Sequence, residues 1–208
     1  MKTFITGVCG GSASGKTTLA NLLVVTLGRK NTQLISLDNY YHDFVKLGHN
    51  PATINYDHPD SMDINSFASD LRLLRSGNSV EIPVYNYSTH TRSVNRKTIH
   101  YKPYIIVEGM FLYNIPNLAP LFDLKIYIDT PEKVRLDRRI ERDAKERNRT
   151  RQSVLDQFYR DVRPMHIKFV YPNLALSDRI VNGNQPFSGQ VPGIVKQIYL
   201  QAKDQNAE

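Results

Sequence analysis

The stretch GVCGGSASGKTT, residues 7–18, decides the fold class of this chain. It fits the pattern GxxxxGK[ST], a loop whose backbone N–H groups, with the helix N-terminus that follows, form a cradle for phosphate oxygens. The lysine of the pattern adds a cation for the β- and γ-phosphates, and the threonine hydroxyl can reach Mg²⁺. The predicted phosphate-binding residues are Gly10, Gly11, Ser12, Ala13, Ser14, Gly15, Lys16, Thr17 and Thr18.

Both flanks of the loop support this interpretation. The run TFITGVCG is rich in β-branched and aromatic residues and predicts a strand that enters the glycines directly. Behind the loop, leucines recur at helical spacing before Gly28, which predicts a helix. These leucines are Leu19, Leu22, Leu23 and Leu27. The alternative, an ordinary glycine-rich turn between a strand and a helix, explains the pattern less well than a phosphate loop does.

The remaining chain alternates strands with helices. After a second strand that ends in Asp38, the runs YIIVEG (104–109), LKIYIDT (124–130) and DRIVNG (178–183) predict three more, the first of them continuously apolar until Glu108. This order predicts a doubly wound α/β fold with a mostly parallel sheet, whose ligand crevice lies at the carboxyl ends of the strands. Gly10, Asp38 and Glu108 fall at such ends.

Three helices and a β-rich excursion complete the pattern. INSFASDLRLLRSG predicts a helix that buries one face, TPEKVRLDRRIERDAKER a helix that begins near Pro131, and VLDQFYRDV a helix that ends before Pro164. The buried face of the first contains Ile64, Phe67, Leu71 and Leu74. We expect one domain over 1–208, with insertions at about 39–63 and 80–101, the latter hairpin-like, and a helical lid at about 133–151.

Composition limits the classes of function. The start of the chain lacks a signal-peptide core, and no uncharged apolar run approaches the ~18 residues that span a bilayer, so we expect a cytoplasmic protein without a membrane partner. A single cysteine, Cys9, excludes an internal disulfide framework. Its position is better explained by the need for a small residue at the end of a strand than by a reactive thiol.

The net charge is +7, and nine Lys/Arg against four acids between Lys133 and Arg151 account for most of it. A local basic helix favours a nucleotide-phosphate clamp over a nucleic-acid surface.

Phosphoryl transfer requires in-line placement, charge neutralisation and a group that orients the acceptor hydroxyl. A GTPase would carry DxxG and [NT]KxD segments, and the sequence contains neither. The predicted catalytic residues are therefore Lys16 and Asp38, with Asp38 accepting the hydroxyl proton. The predicted metal ligands are Thr17, Asp38 and Glu108.

The basic helix has two stripes. Arg135, Arg138, Arg139 and Arg142 lie at i, i+3, i+4 and i+7, and a separate stripe contains Leu136, Ile140 and Ala144. We expect the apolar stripe to pack and the other to present guanidiniums, which match phosphate oxygens in pairs. The alternative for each arginine is a solvated face with pairs such as Arg142–Glu146.

Seven motifs occur in one order: GGSASGKTT, LDNYY, NYDHPDSMD, IPVYNYSTHTR, IIVEG, RRIERDAKERNRT and VRPM. Together they resemble the uridine kinase (uridine/cytidine kinase) family of P-loop kinases, from about Gly7 to Gly183. The resemblance implies transfer of the γ-phosphate of ATP or GTP, with Mg²⁺, to the 5′-hydroxyl of uridine or cytidine in pyrimidine salvage. It implies a small-molecule substrate and a homo-oligomer, commonly a tetramer, and it puts Asp38 at the catalytic-base position.

The resemblance also implies roles for individual residues. Asp57 would hold ribose hydroxyls beside Tyr56, while Tyr85 and His90 would read the base edge against the aromatic wall of Tyr87. Arg139 and Gln157 would serve the nucleoside. The implied lid residues on the triphosphate and acceptor side are Arg142, Arg147 and Arg149.

Four positions depart from the pattern of the family. Asn148 and Thr150 stand where Gly and Asp are common, which affects the lid; Asn182 and Gln185 stand where Arg and Asp are common near the adenine, which affects donor preference. The opening MKTFITG also resembles the nicotinamide riboside kinases, which lack the IPVYNYSTHTR excursion. A phosphate loop is also compatible with a kinase for another small hydroxyl compound, a nucleic-acid-dependent ATPase or a regulatory nucleotide binder.

Overall fold

The computed structural model describes residues 3–50, 53–205 and 207. Its main sheet has five strands in the order β2-β7-β1-β8-β9, and every neighbouring pair is parallel. The strands are β1 (Phe4–Gly10), β2 (Thr32–Ser36), β3 (Val80–Ile82), β4 (Tyr85–Asn86), β5 (Thr91–Arg92), β6 (Lys97–Ile99), β7 (Tyr104–Gly109), β8 (Leu124–Asp129) and β9 (Arg179–Asn182). The helices are α1 (Lys16–Leu27), α2 (Ile64–Arg75), α3 (Glu132–Arg147), α4 (Arg151–Gln157), α5 (Arg163–Met165) and α6 (Val191–Gln205). The predicted α/β fold is confirmed.

The sheet is covered on both faces, as its apolar strands require. Alternate residues of β1 point to opposite faces: Ile5 and Cys9 belong to the core that α2 closes, and Phe4 and Val8 to the core that α1 and α6 close. Within the described residues, no helix combines the length and the apolar character needed to cross a bilayer.

The excursion at 80–101 forms two small antiparallel pairs, β3 with β6 and β4 with β5. A turn between β4 and β5 reverses the chain, and the Asn86 side chain accepts hydrogen bonds from the N–H groups of Ser88 and Thr89 there. His90 closes the turn in a left-handed conformation, with φ 54°. The turn brings the side chains of Tyr85 and His90 together, although residues of opposite parity on one straight strand would point to opposite faces.

The packing face of α3 differs from the prediction. Arg135, Arg139 and Asp143 are the buried residues of this helix, whereas Leu136 and Ile140 are only partly buried and Ala144 is exposed. The polar stripe packs because Ser12 of the phosphate loop, Gln157 of α4 and Asp57 supply partners for it. A guanidinium is buried only where hydrogen bonds and opposite charges compensate its lost hydration.

The prediction that the helix after the lid ends before Pro164 is also wrong. Helical turns continue through α5, flanked by π-helical turns at Phe158–Val162 and His166–Val170. In the first of these the N–H of Arg163 bonds the carbonyl of Phe158, five residues back. Such a turn shifts the bonding register by one residue, which lets the helix pass a residue that has no N–H.

Gly7, in the middle of β1, leaves no room for a side chain. A Cβ there would lie 2.8 Å from the ring and the hydroxyl of Tyr113 and 2.9 Å from Phe122. Tyr113 cannot move away freely, because its hydroxyl bonds both the N–H and the carbonyl of Ile126 at 2.9 Å. We predict that Gly7→Ala lowers the free energy of unfolding by about 1–3 kcal/mol through overpacking, measured by urea denaturation.

The matched control for this prediction is Gly189→Ala, since nothing lies within 4 Å of a Cβ at that position. Its free energy of unfolding should stay within about 0.5 kcal/mol of the parent value, as is usual for surface substitutions. Equal stability of the two variants would contradict the close approach of Tyr113 to β1.

Candidate active site

The phosphate loop joins β1 to α1 in the predicted geometry. Three residues adopt positive φ: Gly10 (152°), Ala13 (61°) and Gly15 (102°). The side chain of Lys16 donates to the carbonyl of Gly11 at 2.9 Å, so the ammonium lies over the loop. Backbone N–H groups at the start of α1 and this ammonium together make the loop an anion site.

A pair of carboxylates lies beside the loop. Register between β2 and β7 puts Ser36 next to Glu108, and the Ser36 hydroxyl donates to the Glu108 carboxylate at 2.5 Å. The same hydroxyl accepts a hydrogen bond from the N–H of Asp38 at 3.2 Å. Burial and the negative charge of Asp38 raise the pKa of Glu108, while Lys16 and hydrogen bonds from Ser36 and Thr17 oppose the rise.

The donor set fits a hard divalent cation that is shared with phosphates. A cation between Asp38 and Glu108 would relieve their repulsion, and Oδ1 of Asp38 is buried without a hydrogen-bond partner. Among the described residues, no three His, Cys, Asp or Glu side chains cluster closely enough to hold a metal alone. Thr17, Asp38 and Glu108 could therefore hold Mg²⁺ only together with water and phosphate oxygens, as is usual for this ion.

A cluster of aromatic side chains adjoins Asp38. The rings of Tyr56 and His90 stack at 4.7 Å, and the Tyr85 hydroxyl lies 3.3 Å from Nδ1 of His90. Burial and the nearby charge of Arg147 lower the pKa of His90, which favours a neutral imidazole with one donor and one acceptor. The Tyr87 hydroxyl donates to Asp38 at 3.4 Å, so the aromatic residues extend to the predicted catalytic base, Asp38.

Arg139 connects the insertion that contains Asp57 to the phosphate loop. Its guanidinium donates to Ser12 at 2.8 Å and to Gln157 at 3.0 Å, and it lies 4.0 Å from Asp57. Burial raises the pKa of Asp57, and the charge of Arg139 opposes that rise. The phosphate loop and the insertion that contains Asp57 therefore share a buried charged wall.

The predicted lid arginines converge on Asp143, a residue that the sequence patterns did not single out. Asp143 is fully buried, and Arg139, Arg142, Arg147 and Arg149 all lie within 3.7 Å of its carboxylate. Its signal in the sequence is an acid with arginines four residues before, one before and four after it. That pattern is also common on solvated helices, so spacing alone does not identify a buried ion cluster.

Two further residues lie against the loop: Arg135 of the predicted arginine stripe, and His166, which the sequence patterns did not single out. The space that a Cβ on Gly11 would need is taken by Arg135 Nη1 at 2.8 Å and His166 Nδ1 at 2.9 Å. Burial, with the charges of Arg135 and Lys16, lowers the pKa of His166 to about 3, so this imidazole is neutral. His166 lies in the helical turns after Pro164, where the sequence indicated no helix.

A cleft of about 620 Å³ opens on the other side of the loop and the start of α1. Gly15 and Thr18 form one wall, Arg138 another, and the segment from Gly183 to Ser188 the third. Of the two departures from the family pattern near this segment, Gln185 lines the cleft, whereas Asn182 accepts a hydrogen bond from the N–H of Asn184 and shapes the turn.

Two departures in the lid have structural roles. Asn148 ends α3 in a left-handed conformation, φ 50°, which asparagine tolerates better than most residues. Thr150 caps α4, accepting a hydrogen bond from the N–H of Ser153 at 3.2 Å. Both substitutions therefore preserve the turn between α3 and α4.

Cys9 is a structural residue. Its thiol is fully buried and donates to the carbonyl of Met110 at 3.2 Å. Burial raises the pKa of this thiol to about 12, and the charge of Lys16 only partly offsets the rise.

Comparison with known proteins agrees with this geometry. Residues 5–185 match the model of the phosphoribulokinase / uridine kinase family. The chain is 43% identical over 182 residues to a uridine kinase of Macrococcus caseolyticus, covering 86% of this chain and 88% of that protein. It is 40% identical over 183 residues to a uridine kinase of Lactococcus lactis subsp. cremoris, with coverage of 86% and 88%.

Solved structures show the same fold at low identity. A possible uridine kinase from Bacillus stearothermophilus superposes with a TM-score of 0.58 at 21% identity, over 88% of this chain and 90% of that one. Phosphoribulokinase from Rhodobacter spheroides superposes with a TM-score of 0.63 at 17% identity, over 89% and 74%.

We predict that Cys9 of the native protein reacts with Ellman's reagent at pH 8 about 10³-fold more slowly than an unstructured thiol, because almost none of it is thiolate. Absorbance at ~412 nm follows the reaction, and the same protein in guanidinium chloride, as control, should react completely within minutes. Stoichiometric labelling of the native protein within minutes would contradict the burial of Cys9.

Proposed function

The chain belongs to the phosphoribulokinase / uridine kinase family, and we propose that it is a nucleoside kinase acting on uridine or cytidine. It transfers the γ-phosphate of ATP or GTP to the 5′-hydroxyl of the nucleoside. The observation that carries the proposal is Arg139, which contacts Ser12 of the phosphate loop and reaches towards Asp57 of the acceptor insertion. One side chain thus links a phosphate site to a pocket with aromatic walls, as in-line transfer between two bound substrates requires.

On the donor side, the loop and Lys16 hold the β- and γ-phosphates. The cleft between Arg138 and the segment 183–188 suits the donor base, and side-chain amides such as that of Gln185 can pair with adenine or guanine. Mg²⁺, when bound by Thr17 and Glu108 directly or through water, neutralises charge on the phosphates. Repulsion between Asp38 and Glu108 supports this assignment.

On the acceptor side, Asp38 orients and deprotonates the 5′-hydroxyl. The support for this role is the hydrogen bond that Asp38 accepts from the hydroxyl of Tyr87, one of the aromatic residues of the proposed nucleoside pocket. A nucleoside hydroxyl that replaced it would meet the same carboxylate next to the phosphate loop. We therefore assign Asp38 primarily to the acceptor rather than to the metal.

We assign selection of the nucleobase to the aromatic residues around Tyr85 and His90. Tyr85 and His90 bring a hydroxyl and a neutral imidazole to one place, where Tyr56 stacks on the ring of His90 and Tyr87 packs edge to face against Tyr85. A pyrimidine that pairs with Tyr85 and His90 is favoured, because a base unable to pair leaves buried polar groups unsatisfied at about 1–3 kcal/mol each. Asp57 and Gln157, beside Arg139, are assigned to the ribose end.

A homotetramer and a cytoplasmic location, both expected from the sequence, stay predictions. They do not enter the assignment of the reaction.

The deciding experiment is a nucleoside panel with ATP–Mg²⁺, in which ADP release is followed for the wild type and for His90→Ala. The wild type should release ADP with uridine or cytidine and only weakly with adenosine. His90→Ala should raise KM for the pyrimidine nucleoside about tenfold and leave KM for ATP nearly unchanged, because one buried hydrogen bond to the base is lost.

His100→Ala is the matched control, since His100 is an exposed histidine of the same excursion. Equal wild-type activity on adenosine and uridine would overturn the pocket assignment. ADP release only with another hydroxyl compound would indicate a different small-molecule kinase, stimulation by DNA or RNA an ATPase, and binding without turnover a regulator.

Asp38→Asn keeps the shape of the side chain and removes its basicity. We predict that kcat falls by about 10²–10⁴-fold, the usual contribution of a general base, while nucleoside Kd from calorimetry changes less than about threefold. Asp60→Asn is the control, because that exposed carboxylate lies in the insertion that directly follows Asp38. Lost nucleoside binding with normal turnover per bound complex would make Asp38 a binding residue instead.

A further inference from the structure

The carboxylate of Asp143 lies at the centre of the lid arginines. Oδ1 is 2.8 Å from Nη2 of Arg142 and 3.7 Å from Nη1 of Arg147, and Oδ2 is 3.6 Å from both Nε of Arg139 and Nη1 of Arg149. The Asp143 side chain has no exposed surface, whereas Arg142, Arg147 and Arg149 keep a quarter to about a third of theirs. One buried anion is thus shared by the buried guanidinium of Arg139 and by three guanidiniums that remain partly exposed.

The backbone of Asp143 organises the same turn. Its carbonyl accepts the N–H groups of both Asn148, in the left-handed conformation that ends α3, and Arg149, at 3.1 Å. This turn brings Arg149 back over the helix that it has just left. The residues that follow continue the contact, because Arg149 also bonds Ser153 and Gln157 of α4.

Four guanidiniums around Asp143, with Asp57 4.0 Å from Arg139, leave an excess of about two positive charges. Without the carboxylate the partly exposed guanidiniums of Arg142, Arg147 and Arg149 would repel one another and adopt more rotamers, whereas Arg139 would keep Ser12 and Gln157 as partners. With it, their remaining N–H groups have fixed directions, and one of them, on Arg139, already donates to Ser12 of the phosphate loop. The excess charge therefore lies beside the site that would hold a triphosphate.

We propose that Asp143 is a positioning residue for phosphoryl transfer, acting on the substrates only through the arginines that it holds. This inference rests on the proposed kinase function. A negative charge in the cluster lowers its general attraction for anions but keeps the guanidiniums in one arrangement. Asp143 thus lowers the affinity for the phosphate donor but fixes the orientation of the guanidiniums, and this orientation matters most in the transition state.

The test is Asp143→Asn, which removes the charge and keeps the shape. We expect kcat to fall at least about tenfold, while KM for ATP stays within about threefold of the wild-type value or decreases, because the net positive charge has grown. Asp137→Asn is the matched control, since it removes an exposed carboxylate from the same helix. Its kcat and KM should be those of the wild type.

A conservative variant separates the charge from the packing. Asp143→Glu keeps the anion and should recover most of the lost kcat, even though its extra methylene must be accommodated in a buried site. If Asp143→Asn fails to fold, an active Asp143→Glu still supports a requirement for charge. An Asp143→Glu variant as impaired as Asp143→Asn would overturn the proposal.

Hydrogen–deuterium exchange of residues 144–153 measures how well ordered the turn after α3 is, and the measurement needs no acceptor nucleoside. Exchange should accelerate in Asp143→Asn and stay unchanged in Asp137→Asn; an unchanged rate in Asp143→Asn would overturn the proposal. So would a variant with wild-type kcat and a lower melting temperature, or one whose only defect is a raised KM for ATP. Failure of the proposed function would appear separately, as wild-type protein without pyrimidine-dependent ADP release.

Discussion

Strand β1 is hydrogen-bonded to a parallel strand on each side, and the site depends on this double pairing. Parallel strands end at one edge of the sheet, so the phosphate loop after β1 and Glu108 of β7 emerge together. Pairing of β2 with β7 then brings Ser36 and the start of the Asp38 turn beside Glu108. A one-residue slip in either register would turn these side chains to the opposite face.

At this edge of the sheet, acidic and basic side chains form two separate groups. Asp38 and Glu108 lie on the side of Thr17, and burial together with the negative charge of Asp38 raises the pKa of Glu108. The arginines of α3 and the following turn lie on the other side, around Asp143. Each group is unbalanced, and the proposed ligands, a nucleoside triphosphate with Mg²⁺, would carry the complementary charges.

Sequence patterns predicted the fold well where one local rule sufficed. The phosphate loop, the apolar strands and the faces of α2 follow from spacing alone, and Phe67, Leu71 and Leu74 are buried as expected. Predictions failed where distant segments supplied the partners. The buried stripe of α3 is polar because Ser12, Asp57 and Gln157 meet it, and helical turns continue past Pro164 because a π turn shifts the bonding register.

The sequence by itself determined the chemistry that is available: a loop that binds anions, acids at strand ends and a surplus of arginines in one segment. It did so because these features depend on residues a few positions apart. Only the tertiary structure decided which polar atoms meet, and with them that Asp143 rather than solvent faces the arginines. Burial is a property of the surfaces that pack together, and segments far apart in the chain form those surfaces.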